Sequence, residues 1–171
     1  LSAAHRRAAG PVFHRDVTPA NILVSRTGEV KLTDFGLARA MDRMTVTLPG
    51  VVVGKLAYVA PELIAAERAT GASDIYSMGI VLWEMLAGRR LFHAQNELEL
   101  FMLAGRSVIP SLDELRDDVP AELAEVVRQM THKQPAQRLA SAHDAAALAW
   151  AFVTGDRREA LGQWVAEAHT A

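Results

Sequence analysis

The 171-residue sequence contains no cysteine. That excludes a disulfide framework, a thiolate metal site and a cysteine nucleophile. It has no run of about 20 apolar residues, the length needed to span a bilayer. The most apolar segment, residues 75–87, is shorter and contains Glu84. The basic start is not followed by a continuous apolar stretch, so no signal peptide is read there, and a cytoplasmic location is expected. An excess of one charge is missing too. Eighteen Lys and Arg face 20 Asp and Glu, so nothing in the balance points to nucleic acid or to an anionic membrane surface. Lysine is scarce, 3 residues against 15 arginines, and alanine is abundant, which reads as the codon usage of a GC-rich genome. His5, His93, His132, His143 and His169 show no metal-ligand spacing.

Half of the residues are apolar and 22% are charged, a globular composition. The length suits one domain that buries roughly two-thirds of its unfolded surface. Residues 1–9 read as the tail of a helix stopped by Gly10-Pro11. Two β-prone runs, 22–25 and 30–33, flank Arg26-Thr27-Gly28-Glu29 and predict a small hairpin. Residues 34–54 show no period and predict a long surface loop, a feature that is usually functional. A helix over 72–87, ending at Gly88, is apolar on nearly every face, Met85 included, and is expected to be the buried helix of the fold. Further helices are expected after Asn96, with a stripe of Leu98, Phe101 and Met102 stopped by Gly105; from Pro120; and from Ser141, carrying Leu148 and Phe152. A last amphipathic helix is expected over residues 156–171, with Leu161, Trp164, Val165 and Ala168 on one side. The expected class is mainly α with one small β-hairpin.

The chemistry-bearing residues come in a fixed order. His14-Arg15-Asp16 is followed five positions after Asp16 by Asn21, then by Asp34-Phe35-Gly36, Ala60-Pro61-Glu62, the segment from Asp74 to Gly79, and Arg138. Each triplet alone is weak. Together, from His14 to about Phe152, they resemble the eukaryotic-like Ser/Thr protein kinase family, of bacterial type and represented by its large, C-terminal lobe only. The resemblance implies ATP and Mg²⁺ as cofactors and a protein Ser/Thr hydroxyl as acceptor. It implies Asp16 as the base that meets the hydroxyl, and Asn21 and Asp34 as the oxygen ligands of the metal. Leu23 would pack beneath the adenine, supported from below by Val81 and Met85. His14 would be a packing residue stacked on Phe35, and Gly36 completes that motif. Asp74 would tie the buried helix to the backbone at His14 and Arg15. Glu62 and Arg138 would form a buried ion pair. Arg15 would bind an activation loop phosphorylated at Thr45 or Thr47.

One departure stands out. The family places Lys two positions after the base, where this chain has Thr18, and Thr after the glycine that precedes the Ala-Pro-Glu segment, where it has Lys55. The two appear exchanged, which predicts that Lys55 reaches Asp16 and the γ-phosphate while Thr18 bonds to it. An exposed loop lysine and a decayed site are the competing explanations.

The family's Gly-rich loop, strand Lys and helix Glu are absent from the sequence, and only 13 residues precede His14. The expectation is a lobe spanning 1–155 with a helical extension over 156–171, partnered by an N-terminal lobe encoded upstream and inactive alone. Two alternatives stay open at this level: a catalytically inert kinase-like binding module, and a small-molecule phosphotransferase. The latter lacks the Ala-Pro-Glu segment and the helix that follows it.

Overall fold

The computed structural model describes residues 1–35, 53–153 and 155–168. Seven helices and one hairpin appear among them: α1 (Ser2–His5), β1 (Ile22–Val24), β2 (Val30–Leu32), α2 (Pro61–Ile64), α3 (Gly71–Ala87), α4 (Glu97–Arg106), α5 (Ala121–Met130), α6 (Ala142–Trp150) and α7 (Arg157–Ala168). Short 3-10 turns cover Pro19–Asn21, Val53–Tyr58 and Pro135–Gln137. The class is mainly α with one antiparallel hairpin, as the sequence predicts.

The fold is built around α3. Thr70 caps its start with a side-chain oxygen that accepts from the Ala72 amide, and Ser73 returns a bond to the Thr70 amide. Gly88, in the left-handed region at φ 66, ends it. Ile75, Tyr76, Ile80, Val81 and Trp83 are all at most 2% exposed. Burying side chains of this size stabilises by roughly 1.5–3 kcal/mol each. The Trp83 indole N–H keeps a partner in the Pro110 carbonyl, 2.8 Å away. The last turn emerges from the core: Met85 is 72% exposed, so the expectation of an all-round buried helix holds only to Glu84.

The hairpin pairs Ile22 with Leu32, Leu23 with Lys31 and Val24 with Val30. Its turn closes through Ser25, whose hydroxyl accepts from the Thr27 and Glu29 amides, and Gly28 supplies the positive φ of 73°.

Other helices depart from the sequence reading in instructive ways. α1 is a single turn rather than nine residues, because the chain folds back and the Val12 amide bonds the Ala4 carbonyl. Asn96 caps α4 by accepting from the Glu99 amide, as expected, but the Glu99 carboxylate turns back to Gln95. α4 buries Leu100 and Ala104, whereas Leu98 and Met102 face outward at 69% and 50% exposure. It runs through Gly105 and ends at Ser107 in the left-handed region. Pro120 stands one position before α5 rather than inside it, and Phe152 lies beyond the end of α6. α7 buries Gly162 and Val165 and exposes Trp164.

Candidate active site

The site begins with a buried carboxylate. Asp74, on α3, is 1% exposed and accepts three bonds: from the His14 amide at 2.7 Å, the Arg15 amide at 2.8 Å and His5 Nε2 at 2.8 Å. Arg15 is held at φ 67, a left-handed conformation that costs a non-glycine residue roughly 1–2 kcal/mol. The two amide bonds to one fixed carboxylate over-determine that backbone. Strain held in this way is characteristic of loops that must present a side chain accurately.

His14 is fully buried, and both ring nitrogens have backbone partners. Nδ1 accepts from the Asp16 amide at 3.2 Å, so the proton sits on Nε2, which donates to the Thr33 carbonyl at 2.7 Å. Phe35 meets the ring edge-on, at 4.5 Å between centroids and 62° between planes, rather than stacked.

Asp16 projects from this loop. Asn21 Nδ2 donates to its backbone carbonyl at 2.7 Å and to its carboxylate Oδ2 at 3.0 Å. The same Oδ2 accepts from Lys55 Nζ at 2.5 Å. Lys55 belongs to the 3-10 segment Val53–Tyr58. The far end of that segment is fixed by Tyr58: its carbonyl accepts from the Ser77 hydroxyl and its phenol donates to Glu84. Arg90 donates to both Tyr58 and Glu84. Burial, then the bond to Glu84, pushes the Tyr58 phenol far above its ordinary pKa.

Thr18 lies beside Asp16 in the chain, but its hydroxyl, in a residue 4% exposed, has no hydrogen-bond partner among the described residues. The expected bond from Thr18 to the lysine or the carboxylate is not made. The backbone holds Thr18 extended, at φ −144 and ψ 160, immediately before the 3-10 turn at Pro19.

Asn21 also ties the loop to the hairpin. Its carbonyl accepts from the Thr33 amide at 2.9 Å and the Thr33 hydroxyl at 3.2 Å. Asp34 follows directly, exposed and at φ 61. Leu23, on β1, is 53% exposed. Val81 is buried under the core, whereas Met85 is not.

Away from this centre, Arg138 and Glu62 form a bidentate pair at 2.7 Å for both bonds, with side chains 0% and 5% exposed. Arg138 also donates to the carbonyls of Ala72, His132 and Lys133 and lies 4.8 Å from the Tyr76 ring. Burial pushes the Glu62 carboxyl up. The bonds and charge of Arg138, with help from its own amide and Ser73, outweigh that and hold it below the usual range. Gly36, Thr45 and Thr47 lie outside the described residues. Sequence reading missed His5, whose contact with Asp74 spans 69 positions and which no local spacing announces.

The Asp16 carboxylate thus sits on a strained loop, tied to a buried helix by its backbone amides, and is held by an amide and an ammonium. Residues 1–151 match the protein kinase domain family, and the chain belongs to it. It is 41% identical over 142 residues to the serine/threonine-protein kinase PknL of Mycobacterium tuberculosis, covering 83% of this chain and 35% of PknL. It is 42% identical over 141 residues to PknA of the same organism, covering 82% of this chain and 31% of PknA. A probable serine/threonine-protein kinase of Bifidobacterium longum, pknA2, is 39% identical over 134 residues, which is 78% of this chain and 17% of that protein. The chain thus spans about a third or less of the relatives it matches.

Proposed function

We propose that this chain is the large lobe of a serine/threonine protein kinase that transfers the γ-phosphoryl group of ATP to protein hydroxyls. The observation that carries this reading is Asp16 Oδ2 held jointly by Asn21 and Lys55. In the transfer, the acceptor oxygen bonds to the γ-phosphorus, the bond from that phosphorus to the bridging oxygen breaks, and ADP departs. Asp16 orients the hydroxyl and accepts its proton. The transition state is loose and highly charged, so positioned cations supply most of the catalysis. Lys55 supplies one such charge from the position where the family carries Thr. We read it as taking the role beside the base that the family gives to a lysine two positions after it, where this chain has Thr18.

The donor set suits Mg²⁺, a hard cation that takes one or two carboxylates and keeps the rest of its shell for phosphates and water. Asn21 points its nitrogen at Asp16, which reserves its amide oxygen as a ligand, and Asp34 offers an exposed carboxylate. Magnesium, when bound, neutralises the phosphate oxygens. Leu23, exposed on β1, would take the lower face of the adenine. Arg15, next to Asp16 in sequence, would bind a phosphorylated Thr45 or Thr47. The Gly-rich loop and strand lysine that complete an ATP site are not in this sequence, so we assign them to a small lobe encoded upstream. We read the reaction as cytoplasmic, where ATP and free Mg²⁺ are available.

The test is phosphorylation by the complete gene product, with ATP, Mg²⁺ and a generic protein substrate. Phosphoserine or phosphothreonine is expected, falling at least about a hundredfold in Asp16→Asn, and none is expected from the 171-residue chain alone. Undiminished transfer by Asp16→Asn would overturn the assignment.

A further inference from the structure

The hairpin that lies between the two candidate metal ligands, Asn21 before it and Asp34 after it, is a weak element. A two-stranded hairpin is marginal in water unless something packs on it. Here Leu23 and Val30 are 53% and 58% exposed, and the end near the site is fixed through Ile22, packed against the core, and the Thr33–Asn21 bonds. The opposite end meets α7, which lies outside the span shared with the kinase domain family.

The contact is made backbone to backbone. Gly162 is buried, and a Cβ there would come 2.5 Å from the Arg26 carbonyl oxygen and 3.3 Å from the Gly28 nitrogen. A Cβ on Gly28 would collide with the Arg158 carbonyl. Two glycines, one on each partner, therefore permit the approach. Val165, one turn beyond Gly162, is 6% exposed. The helix is itself fixed at its start, where Asp156 Oδ1 accepts from the Arg158 and Glu159 amides.

We infer that α7 is a clamp on the turn of the β1–β2 hairpin, and that Gly162 is a positioning residue for Asn21 and Asp34. The strands are three residues long, so a turn held at one end and a core contact at the other leave little freedom between. With the turn released, only the site end remains fixed, and the hairpin opens locally without global unfolding. The clamp rests on geometry alone. Its catalytic consequence rests on the function proposed above.

Gly162→Ala gives a test whose sign discriminates. Alanine is the better helix former, so an unseated α7 gains stability from the change and leaves the hairpin untouched. A seated α7 is lifted off. Amide hydrogen exchange on the 171-residue chain should show the Ser25 and Gly28 amides, at the turn, exchanging about tenfold faster in Gly162→Ala, with α3 unchanged. Deleting residues 156–171 should do the same, and Trp164→Ala, on the exposed face of α7, should not. In the complete gene product Gly162→Ala should raise KM for Mg-ATP several-fold more than it lowers kcat. Unchanged or slower hairpin exchange in Gly162→Ala, or an equal rise throughout the chain, overturns the clamp. Faster hairpin exchange in a complete protein that transfers no phosphate leaves the clamp standing and removes the kinase reading instead.

Discussion

Lys55 Nζ and Asp16 Oδ2 lie 2.5 Å apart, 39 positions separated in sequence. The lysine side chain is 42% exposed and the aspartate 25%. A pair this open gains little stability from its own attraction. On the function proposed above, the value of the contact is positional: the ammonium is set beside Asp16, to meet the charge that develops on a phosphate. Lys55→Ala in the complete protein is therefore expected to lower kcat about a hundredfold while moving the unfolding midpoint little. Lys55→Arg should recover only part of the loss, because a planar guanidinium does not replace a point charge. Steady-state kinetics beside thermal denaturation separate the two effects.

Asp74 holds the strained loop at His14 and Arg15. Asp74→Asn presents an amide nitrogen to donors that need an acceptor, and it removes the charge that binds them. A loss of about 3 kcal/mol is expected, read as a lower urea midpoint at constant slope. A loss below about 1 kcal/mol would show that the loop is held by something else.

The Glu62–Arg138 pair makes a statement about acid. The folded carboxyl titrates below its ordinary value of 4.5. Its contribution is thus full above 4.5 and is lost as pH falls through the lower folded value. Unfolding temperature measured from neutral to acid pH should decline more steeply in the wild type than in Glu62→Gln within that window. The variant should be less stable at neutral pH, since Arg138 remains buried without its charge partner.

The two tyrosines make the matching statement about base. Burial raises both, with Tyr76 pushed up to about 12 and Tyr58 higher still. Folding therefore favours the protonated phenols. Their contribution is present below the ordinary value of 10.0 and is lost as pH rises above it. Ultraviolet titration should find no phenolate near pH 10 in the folded chain and should find both groups at once on alkaline unfolding. A normal step for one tyrosine in the folded state would contradict its burial.

Elements set by local chemistry were readable from the sequence. Thr70 was not singled out, but the boundaries of α3, the Asn96 and Ser141 caps and the Gly28 turn follow from residue type at fixed spacing. Which apolar face turns inward was not readable. In α4 the apolar residues Leu98 and Met102 lose to Leu100 and Ala104, because burial depends on where α2 and the Val53–Tyr58 segment press against the helix. The candidate site was legible through its motif order. His5 was not, since its single partner lies on a helix 69 positions away. The missing Thr18 bond has the same origin: residue identity gives the exchange with Lys55, but backbone direction decides what the hydroxyl meets.

The most direct test of the account relocates the charge. Kinetics of the complete protein are compared for Lys55→Thr, Thr18→Lys and the double variant carrying both. If Lys55 stands in for a lysine two positions after the base, the single variant Lys55→Thr loses about a hundredfold and the double variant regains most of it. A double variant no more active than Lys55→Thr, or a Lys55→Thr variant of normal activity, would contradict the account.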